Sequence, residues 1–338
     1  MADGRLRAGP SGQANSATAA TILRQMSLVI DRVSKRFGAV LALDELSFEV
    51  PRGQVFGFLG ANGAGKTTTM RIALGVLRAD SGSISWDGVL AEQLPRATWG
   101  YLPEERGLYP RMTVLDQLVY FAGLYGLPPE RAAREARAWL ARFRVPEFAD
   151  RRAEELSKGN QQKVQFLAAT LHDPDVFLMD EPFTGLDPVN TALLREAFLE
   201  LRDRGKTIIF STHQMEMAEA MCESVAIVDR GRVVVGGPLR EVKRSTGRRV
   251  VILGIEDDHR LEWLSGVAGA RVMRRGIDRS EIELEAGIEP EALLAAAMDR
   301  GLRVRHFEIA DASLEQVFID HVGRPADEEM RLADEPAA

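Results

Sequence analysis

The sequence GANGAGKT, from Gly60 to Thr67, fits the pattern GxxxxGK[ST], whose residues bind the phosphate groups of nucleotides. Its glycines allow backbone N–H groups to turn inward around phosphate oxygens. We expect Lys66 to reach the β- and γ-phosphates and the Thr67 hydroxyl to coordinate Mg²⁺. The competing interpretation is a chance glycine-rich turn. An apolar run before the loop and a helical pattern after it favour phosphate binding, with candidate contacts at Gly60, Asn62, Gly63, Gly65, Lys66, Thr67 and Thr68.

Two carboxylates, Asp180 and Glu181, end a short apolar run that begins at Val176. An aspartate there would hold Mg²⁺ through its water shell, and the next glutamate would orient or deprotonate an attacking water. An acidic pair at a helix start is the alternative, and Pro182 would suit it. Because a phosphate loop is also present, the pair predicts a metal ligand at Asp180 and a catalytic base at Glu181.

His213 ends a second apolar run, which begins at Thr207. An imidazole at a strand end beside a triphosphate would sense or orient the γ-phosphate. A lone histidine is more often structural, so this prediction depends on the phosphate loop and the carboxylates. The other four histidines have no such context, and we assign no role to His172, His259, His306 and His321.

The run LSKGNQQ, from Leu156 to Gln162, lies at a predicted helix start between the phosphate loop and the acidic strand end. Many ATPases and kinases have both of those features. Far fewer place a Leu-Ser-x-Gly-polar-Gln run shortly before the acidic strand. The run therefore indicates a smaller class of nucleotide-binding proteins, which share one way of using the nucleotide.

The elements that position these residues alternate between strand and helix patterns from Ser27 to about Lys243, which predicts an α/β core. Residues 113–170 are mainly helical and begin with a capping pair, Thr113 and Asp116. Two apolar runs end in polar residues, as parallel strands do at a ligand face. The predicted strands are Leu28–Ile30, Ser47–Val50, Gln54–Leu59, Val176–Met179 and Thr207–Phe210, with a hairpin of Val225–Val228 and Arg232–Val235.

After Lys243 the pattern changes to βαββαβ, the ferredoxin-like order, followed by a final helix. The predicted strands are Arg249–Ile255, Ala270–Arg274, Glu281–Leu284 and Val304–Ile309. The predicted helices are Arg260–Leu264, Pro290–Arg300 and Ser313–Phe318.

At 338 residues the chain is long enough for two domains, each with a core of its own. The formal net charge of −7 argues against nucleic acid as the main partner, because a phosphate-tracking protein needs a basic surface. The local cluster of Arg271, Arg274, Arg275 and Arg279 is interpreted as a solvated edge. The one cysteine, Cys222, excludes a disulfide within the chain and fits a reducing cytosol. No run approaches the roughly 20 apolar residues of a membrane span, so we expect the folded part to be soluble.

Together, the ordered motifs from Ser27 to Lys243 resemble the nucleotide-binding subunit of an ATP-binding cassette (ABC) transporter. Within that family they are most similar to the ATPase subunits of ABC-2-type exporters, of the sodium-extrusion and drug-efflux kind. The ending ASLEQVF, from Ala312 to Phe318, resembles the close of the C-terminal domain of those subunits. The resemblance implies a P-loop ATPase core with a helical subdomain at 27–245 and a small α+β accessory domain at 246–323. Segments 1–26 and 324–338 are expected to be disordered tails.

The resemblance also implies roles for single residues. Phe37 matches the position of an aromatic ring that stacks on adenine. Glu181 matches the catalytic glutamate, and His213 matches the switch histidine. Asp187, in Thr-Gly-Leu-Asp, matches a loop that crosses the dimer interface.

The LSKGNQQ run resembles the signature run of the family, whose serine hydroxyl and backbone N–H groups bind the γ-phosphate of ATP held by a second subunit. Two positions depart from the usual pattern, because Lys158 replaces a glycine and Asn160 replaces a glutamine. Ser157 and Gly159 are retained, so we expect the contact to survive, with Asn160 as a further contact.

Glu104, in Tyr-Leu-Pro-Glu-Glu, occupies the position of a family glutamine that senses Mg²⁺ and couples to the membrane subunit. A glutamate there would still bind Mg²⁺ or its water. It would also add negative charge beside the phosphates.

The resemblance implies an ATPase subunit that dimerises around two ATP molecules and drives separate membrane permease subunits through a groove near Glu104–Met112. It also implies a peripheral location on the cytoplasmic face of the cell membrane, without a nucleic-acid partner. One alternative is an ABC-family ATPase with a mechanical or translation-associated role; such proteins usually have two cassettes, coiled coils or zinc cysteines. Another is a phosphate-loop kinase, which would need a phosphoryl acceptor and no LSKGNQQ run.

Overall fold

The computed structural model describes residues 27–105, 107–256, 261–285 and 287–323. The predicted tails, His259 and the start of the predicted helix at Arg260 lie outside the described residues. The chain divides into two compact units. The first comprises the described residues up to Phe58, together with Gly63–Thr212 and Val228–Val233. The second comprises Leu59–Asn62, His213–Ile227 and the described residues from Val234 onward.

An antiparallel sheet in the first unit has the strand order β2-β1-β4-β5. Its strands are β1 (Ser27–Phe37), β2 (Val40–Pro51), β4 (Ser81–Trp86) and β5 (Val89–Leu90). Strands β1 and β2 extend beyond the predicted apolar runs, because they pair from Ser27 opposite Pro51 to Phe37 opposite Val40. Backbone pairing thus continues where the side chains are polar.

A second set of strands in this unit has the order β3, β8, β7, β6. They are β3 (Val55–Leu59), β6 (Trp99–Leu102), β7 (Val176–Asp180) and β8 (Thr207–Thr212), and β7 is parallel to both β6 and β8. Every residue of β7 and β8 is buried, as expected for parallel strands covered on both faces. The register places Asp180 opposite Ser211, so two polar strand ends meet.

The described part of the first unit contains five α-helices. They are α1 (Lys66–Ala73), α2 (Val114–Leu124), α3 (Pro129–Arg142), α4 (Lys158–Thr170) and α5 (Pro188–Asp203). Helices α2 to α4 form the helical stretch predicted for residues 113–170. The predicted cap of α2 is confirmed, because the Asp116 amide donates to Thr113 Oγ1 at 3.2 Å.

A cluster of phenylalanines packs α4 and α5 against β8. The Phe198 ring of α5 lies with its centroid 5.7 Å from Phe166 of α4 and 6.1 Å from Phe210 of β8. Each such aromatic pair contributes about 0.5–1.5 kcal/mol beyond the area it buries. The cluster therefore fixes the helices that flank the polar strand ends.

The second unit contains α6 (Met215–Met221), α7 (Leu239–Arg244) and most of β9 (Ser224–Asp229) and β10 (Arg232–Pro238), which are neighbours as predicted. Further elements are β11 (Arg249–Ile255), a 3₁₀ helix (Glu262–Gly266), β12 (Ala270–Arg275), β13 (Ser280–Leu284), α8 (Pro290–Asp299), β14 (Val304–Ala310) and α9 (Leu314–Val322). The sheet order β12-β13-β11-β14, with antiparallel neighbours, confirms the predicted βαββαβ arrangement, although its first helix is a 3₁₀ helix. Leu293 of α8 packs with Val251 and Ile282 in one buried cluster.

Within the described ranges, no helix has both the length and the apolar character needed to cross a membrane.

Candidate functional site

The phosphate loop connects β3 to α1, and two of its glycines have left-handed backbone angles. Gly63 has φ +79° and Gly65 has φ +107°. A Cβ at position 65 would lie 2.5 Å from Leu43 Cδ2 and 2.8 Å from the Ala42 carbonyl oxygen. The loop conformation therefore requires glycine at position 65. The Gly231 amide donates to the Ala64 carbonyl at 3.0 Å, which fixes the loop from its other side.

Helix α1 begins directly after the loop with a positively charged first turn. Gly65 is its N-cap, and a glycine has no side chain to accept from the first N–H groups. The first turn consists of Lys66, Thr67 and Thr68, with the Lys66 side chain buried. The N–H groups at a helix start, the helix dipole and the Lys66 ammonium together favour an anion at this point.

Asp180, at the end of β7, has one satisfied and one unsatisfied oxygen. The residue is 1% exposed, and its Oδ1 accepts a hydrogen bond from the Ser211 hydroxyl. Among the described residues, its buried Oδ2 has no hydrogen-bond partner. An unsatisfied buried carboxylate oxygen is costly, so the site fits a cation or a water held by one.

The described side chains do not form a metal cage of their own. No group of three or more His, Cys, Asp or Glu in the described part of the chain has a metal-binding arrangement. Mg²⁺ usually takes one or two carboxylates and completes its coordination with phosphate oxygens and water. One carboxylate with an orphaned oxygen fits that mode of binding.

Glu181 has a strained backbone, and its carboxylate accepts hydrogen bonds from two threonine hydroxyls. Its φ of +47° lies in the left-handed region, which costs a non-glycine residue about 1–3 kcal/mol. Its amide donates to the carbonyl oxygen and the hydroxyl of Ser211, both at 3.2 Å. Its Oε2 accepts from Thr184 Oγ1 at 3.3 Å and from Thr212 Oγ1 at 3.2 Å. The strain and the two hydroxyls together set the direction of this carboxylate.

Glu104 follows β6 and lies close enough to interact with the strand-end carboxylates. Partial burial is the main cause that raises the pKa of Glu104, and repulsion from Asp180 and Glu181 raises it further. The Lys66 ammonium acts in the opposite direction. Lys66, Asp180 and Glu181 thus all lie within electrostatic range of Glu104.

The LSKGNQQ run forms the start of α4, where Ser157 and Lys158 are exposed and Gln162 is buried. Ser157 is the N-cap, and its hydroxyl accepts from the Asn160 amide at 3.4 Å. A Cβ on Gly159 would meet its nearest neighbours, Asn190 Nδ2 and Leu186 Cδ2, at an ordinary 3.5 Å. The packing of this chain therefore does not require glycine at position 159.

Three further candidates occupy element ends. Phe37 ends β1 with 46% of its surface exposed, and the Lys35 ammonium lies 5.6 Å from its ring centroid. Asp187 is the exposed N-cap of α5 and accepts from the Asn190 amide at 2.9 Å, a hydrogen bond that lowers the pKa of Asp187. His213 is partly buried and follows β8 directly.

Sequence reasoning missed several residues that hold the site. Ser211 and Thr212 contact Asp180 and Glu181, and their signal was two polar residues at the end of an otherwise apolar strand. Gln165 donates to backbone carbonyls on both sides of Glu104. This contact has no local signal, because it joins positions about 60 residues apart.

Comparison with known proteins gives two family matches. Residues 43–184 match the family described as ABC transporter. Residues 237–322 match the family described as ATP-binding protein DrrA1-3-like, C-terminal domain.

Two relatives and one solved structure illustrate the similarity. An uncharacterized ABC transporter ATP-binding protein of Bacillus subtilis is 45% identical over 296 residues, which cover 88% of this chain and 98% of that protein. The Nod factor export ATP-binding protein I of Ralstonia nicotianae is 34% identical over 311 residues, covering 88% and 94%. The structure of an ATP binding subunit of an ABC transporter aligns with a TM-score of 0.62 and 33% identity, covering 66% of this chain and 94% of that one.

The first family match includes the phosphate loop and the strand-end carboxylates, and the solved structure has the same fold around them. The Bacillus subtilis relative extends the similarity along nearly the whole of its own length. This chain therefore belongs to the ATP-binding proteins of the ABC transporter family.

Proposed function

We propose that this chain hydrolyses ATP as a dimer and drives the separate membrane subunits of an exporter. The observation that carries the proposal is the convergence of Lys66, Glu104, Asp180 and Glu181, with one buried Asp180 oxygen unsatisfied by the described residues. Export is supported by the relative whose name includes Nod factor export. The match of residues 237–322 to a DrrA1-3-like C-terminal domain supports the same subfamily.

Binding of ATP would use the phosphate loop and the start of α1. The N–H groups of Gly60, Asn62, Gly63 and Gly65 would surround the phosphates, with Lys66 neutralising their charge. Thr67 and Thr68 would add hydroxyl contacts. The exposed ring of Phe37 would stack on adenine, because it already has one open face.

Thr67 and Asp180 would hold Mg²⁺, and Glu104 would reach it directly or through water. The bound ion would neutralise charge that develops on the phosphate oxygens. The orphaned Asp180 oxygen supports this assignment.

Hydrolysis would depend on the orientation of Glu181. Its carboxylate would accept a proton as the attacking water forms a bond to the γ-phosphorus and the bond to the ADP oxygen breaks. The hydroxyls of Thr184 and Thr212 fix the carboxylate before ATP arrives, so little reorganisation remains. His213 would orient the γ-phosphate from the strand end beside Thr212.

Dimerisation would complete each site with the α4 start of a second subunit. The Ser157 hydroxyl and the N–H groups of Gly159 and Asn160 would bind the γ-phosphate of the partner's ATP. Gly159 supports this role, because the chain's own packing leaves room for a side chain and glycine weakens a helix by roughly 0.5–1 kcal/mol. Asp187 would lie at the same interface.

Permease subunits would dock on the aromatic cluster formed by exposed Tyr109 and Tyr120 and half-buried Phe121. The Tyr109 ring centroid lies 5.9 Å from that of Tyr120 and 5.8 Å from that of Phe121. Tyr109, Tyr120 and the nearby Leu124 are 47%, 46% and 64% exposed, which is an unusual grouping for a surface without a partner. Docking there would place the chain on the cytoplasmic face of a membrane.

The domain arrangement we propose keeps the ATPase at 27–245 and the accessory domain at 246–323. No nucleic-acid partner is proposed, in agreement with the net charge of −7. Neither family match supports a mechanical or translation-associated role.

The substitution Glu181→Gln tests the proposal, because it preserves shape and removes the proton acceptor. We expect ATP hydrolysis to fall by about 10²–10⁴-fold, and an ATP-dependent dimer to accumulate in light-scattering chromatography. Glu196→Gln, an exposed change on α5, is the control and should match the wild type. Wild-type turnover in Glu181→Gln would refute the role of Glu181.

A further inference from the structure

Helix α4 carries two buried glutamines, three residues apart, on one side of the helix. Gln162 and Gln165 are 7% and 4% exposed. Buried polar side chains nearly always have a hydrogen-bond partner. Each of these two side chains donates to the backbone of a different carboxylate-bearing loop.

Gln165 holds the loop that carries Glu104. Its Nε2 donates to the Pro103 carbonyl at 3.2 Å and to the Glu105 carbonyl at 2.9 Å. These two carbonyls flank Glu104, so one amide group fixes the backbone on both sides of that residue.

Gln162 holds the loop that carries Glu181. Its Nε2 donates to the Pro182 carbonyl at 3.1 Å. Pro182 follows Glu181 directly, so this hydrogen bond restrains the backbone at the strained residue.

The helix between the two glutamines is a rigid support. Val164 and Phe166 are fully buried, and Phe166 stacks on Phe198 with centroids 5.7 Å apart. Because this helix segment is closely packed, it resists displacement. The three hydrogen bonds therefore anchor both loops to the same rigid element. Strands β6 and β7 are parallel, and Leu102 lies opposite Met179, so the segments that carry Glu104 and Glu181 leave the sheet side by side.

We propose that Gln165 is a positioning residue that, with Gln162, sets the placement of Glu104 relative to Glu181. The amide of Gln165 acts through the backbone of the Glu104 segment and does not itself touch the nucleotide. The inference rests on the proposed function, because it assumes that Glu104 and Glu181 act on bound ATP.

The first test measures, in nucleotide-free protein, whether Gln165 restrains the backbone of the segment that carries Glu104. Gln165→Met keeps the unbranched shape and removes the donor, and Gln165→Glu replaces the donor with an oxygen that repels both carbonyls. Amide hydrogen exchange in residues 101–109 should be about tenfold faster in both variants than in the wild type. Thr170→Val is the control, since it removes a buried hydrogen bond to the Phe166 carbonyl in the same helix. Unchanged exchange in both Gln165 variants would overturn the proposal.

The second test is a kinetic double-mutant cycle with Glu104→Ala. Gln165→Met should lower kcat about tenfold while the KM for ATP changes less than about twofold, because the loss is in geometry at the reacting centre. In the Glu104→Ala background, Gln165→Met should reduce kcat by less than about twofold further, because it acts through Glu104. Additive losses would show a merely structural effect and overturn the proposal.

The two proposals fail in different ways. If the wild-type chain does not hydrolyse ATP, or Glu181→Gln hydrolyses it normally, the proposed function fails. If the wild type is active and Glu181→Gln is inactive, but Gln165→Met matches Thr170→Val in both exchange and kcat, only the positioning role of Gln165 fails.

Discussion

At the scale of single residues, backbone geometry separates two kinds of glycine. Gly65 has a positive φ and neighbours that a Cβ would overlap. Gly126 also has a positive φ, +86°, but among the described residues a Cβ there would meet no heavy atom within 4 Å. Substitution at Gly65 therefore introduces both steric overlap and backbone strain, whereas substitution at Gly126 introduces backbone strain alone.

We predict that Gly65→Ala lowers the free energy of unfolding by about 2–4 kcal/mol and abolishes ATP binding, because strain and overlap add. Gly126→Ala should cost only about 1 kcal/mol, since it introduces strain without overlap. Urea unfolding and nucleotide titration of both variants provide the measurement. Equal losses of stability would mean that the loop relaxes around the new methyl group.

The pKa of Glu104 predicts a pH dependence of stability. Because the folded-state pKa is raised, the folded chain binds more protons than the unfolded chain between the ordinary and the raised value. Stability is therefore lost as pH rises through that window. A glutamine at position 104 cannot ionise, so the Glu104→Gln variant does not lose this stability as pH rises.

Glu104→Gln should raise the Tm at pH 7 by at most about 1 °C without nucleotide or Mg²⁺, because solvent screens the exposed carboxylate. The gain should disappear below about pH 4, where the unfolded glutamate is also protonated. Thermal melts across this pH range provide the measurement, with Glu105→Gln as the control for removing one negative charge from the same segment. A lower Tm for Glu104→Gln at pH 7 would contradict the electrostatic account.

At the scale of elements, one carboxylate secures the start of α9 in the second unit. Glu219 of α6 accepts from the Leu314 amide through Oε1 and from the Lys243 ammonium of α7 at 3.0 Å through Oε2. Ser313 caps the same helix by accepting from the Gln316 amide at 3.2 Å. The ASLEQVF ending is thus a helix start held from two directions.

Glu219→Ala should destabilise the chain by about 1–2 kcal/mol, because it removes a helix-cap acceptor and one ion pair. The loss should appear as faster amide exchange in residues 314–322. Glu216→Ala, an exposed change in the same helix, serves as the control and should leave exchange there unchanged. Protection equal to the wild type in Glu219→Ala would show that buried Leu314 and Phe318 suffice to hold α9.

Sequence patterns predicted the longer elements and missed some short ones. Apolar runs identified β3, β7 and β8, whereas β4, β5 and β6 were not predicted. Strand β6 has only four residues, one of which is Gly100. A Cβ at Gly100 would lie 2.6 Å from the Ala169 carbonyl of α4, so the strand depends on a contact with a distant helix. Short strands of this kind are selected by packing and not by local pattern.

At the scale of the whole molecule, the proposed dimer divides each site between two copies. A chain with Lys66→Ala lacks its own phosphate contact but retains an intact α4 start. A chain with Gly159→Asp retains its phosphate loop and folds, because a Cβ at 159 meets only ordinary contacts. Each homodimer has two defective sites, whereas a mixed dimer has one intact site.

Equal mixing of these two inactive variants should therefore restore about a quarter of the wild-type ATPase rate, since half the dimers are mixed and half their sites are intact. The measurement is phosphate release after refolding or coexpression of the two chains. Each variant alone is the control. A mixture as inactive as its parents would contradict a shared site.

The sequence by itself determined which chemistry is present. Phosphate binding, the acidic strand end and the LSKGNQQ run are contiguous motifs, and each is readable because its residues are fixed by local spacing. The alternation of strands and helices that positions them is likewise a local pattern.

Only the tertiary structure decided how the groups are held and charged. Three features arise where chain segments meet in space: the unsatisfied Asp180 oxygen, the raised pKa of Glu104 and the hydrogen bonds that Gln165 donates. The hydrogen bond from Ser211 to Asp180 spans 31 positions, and that from Gln165 to the Pro103 carbonyl spans 62. Local spacing cannot encode such contacts, because burial and hydrogen bonding are set by whichever distant segments pack together.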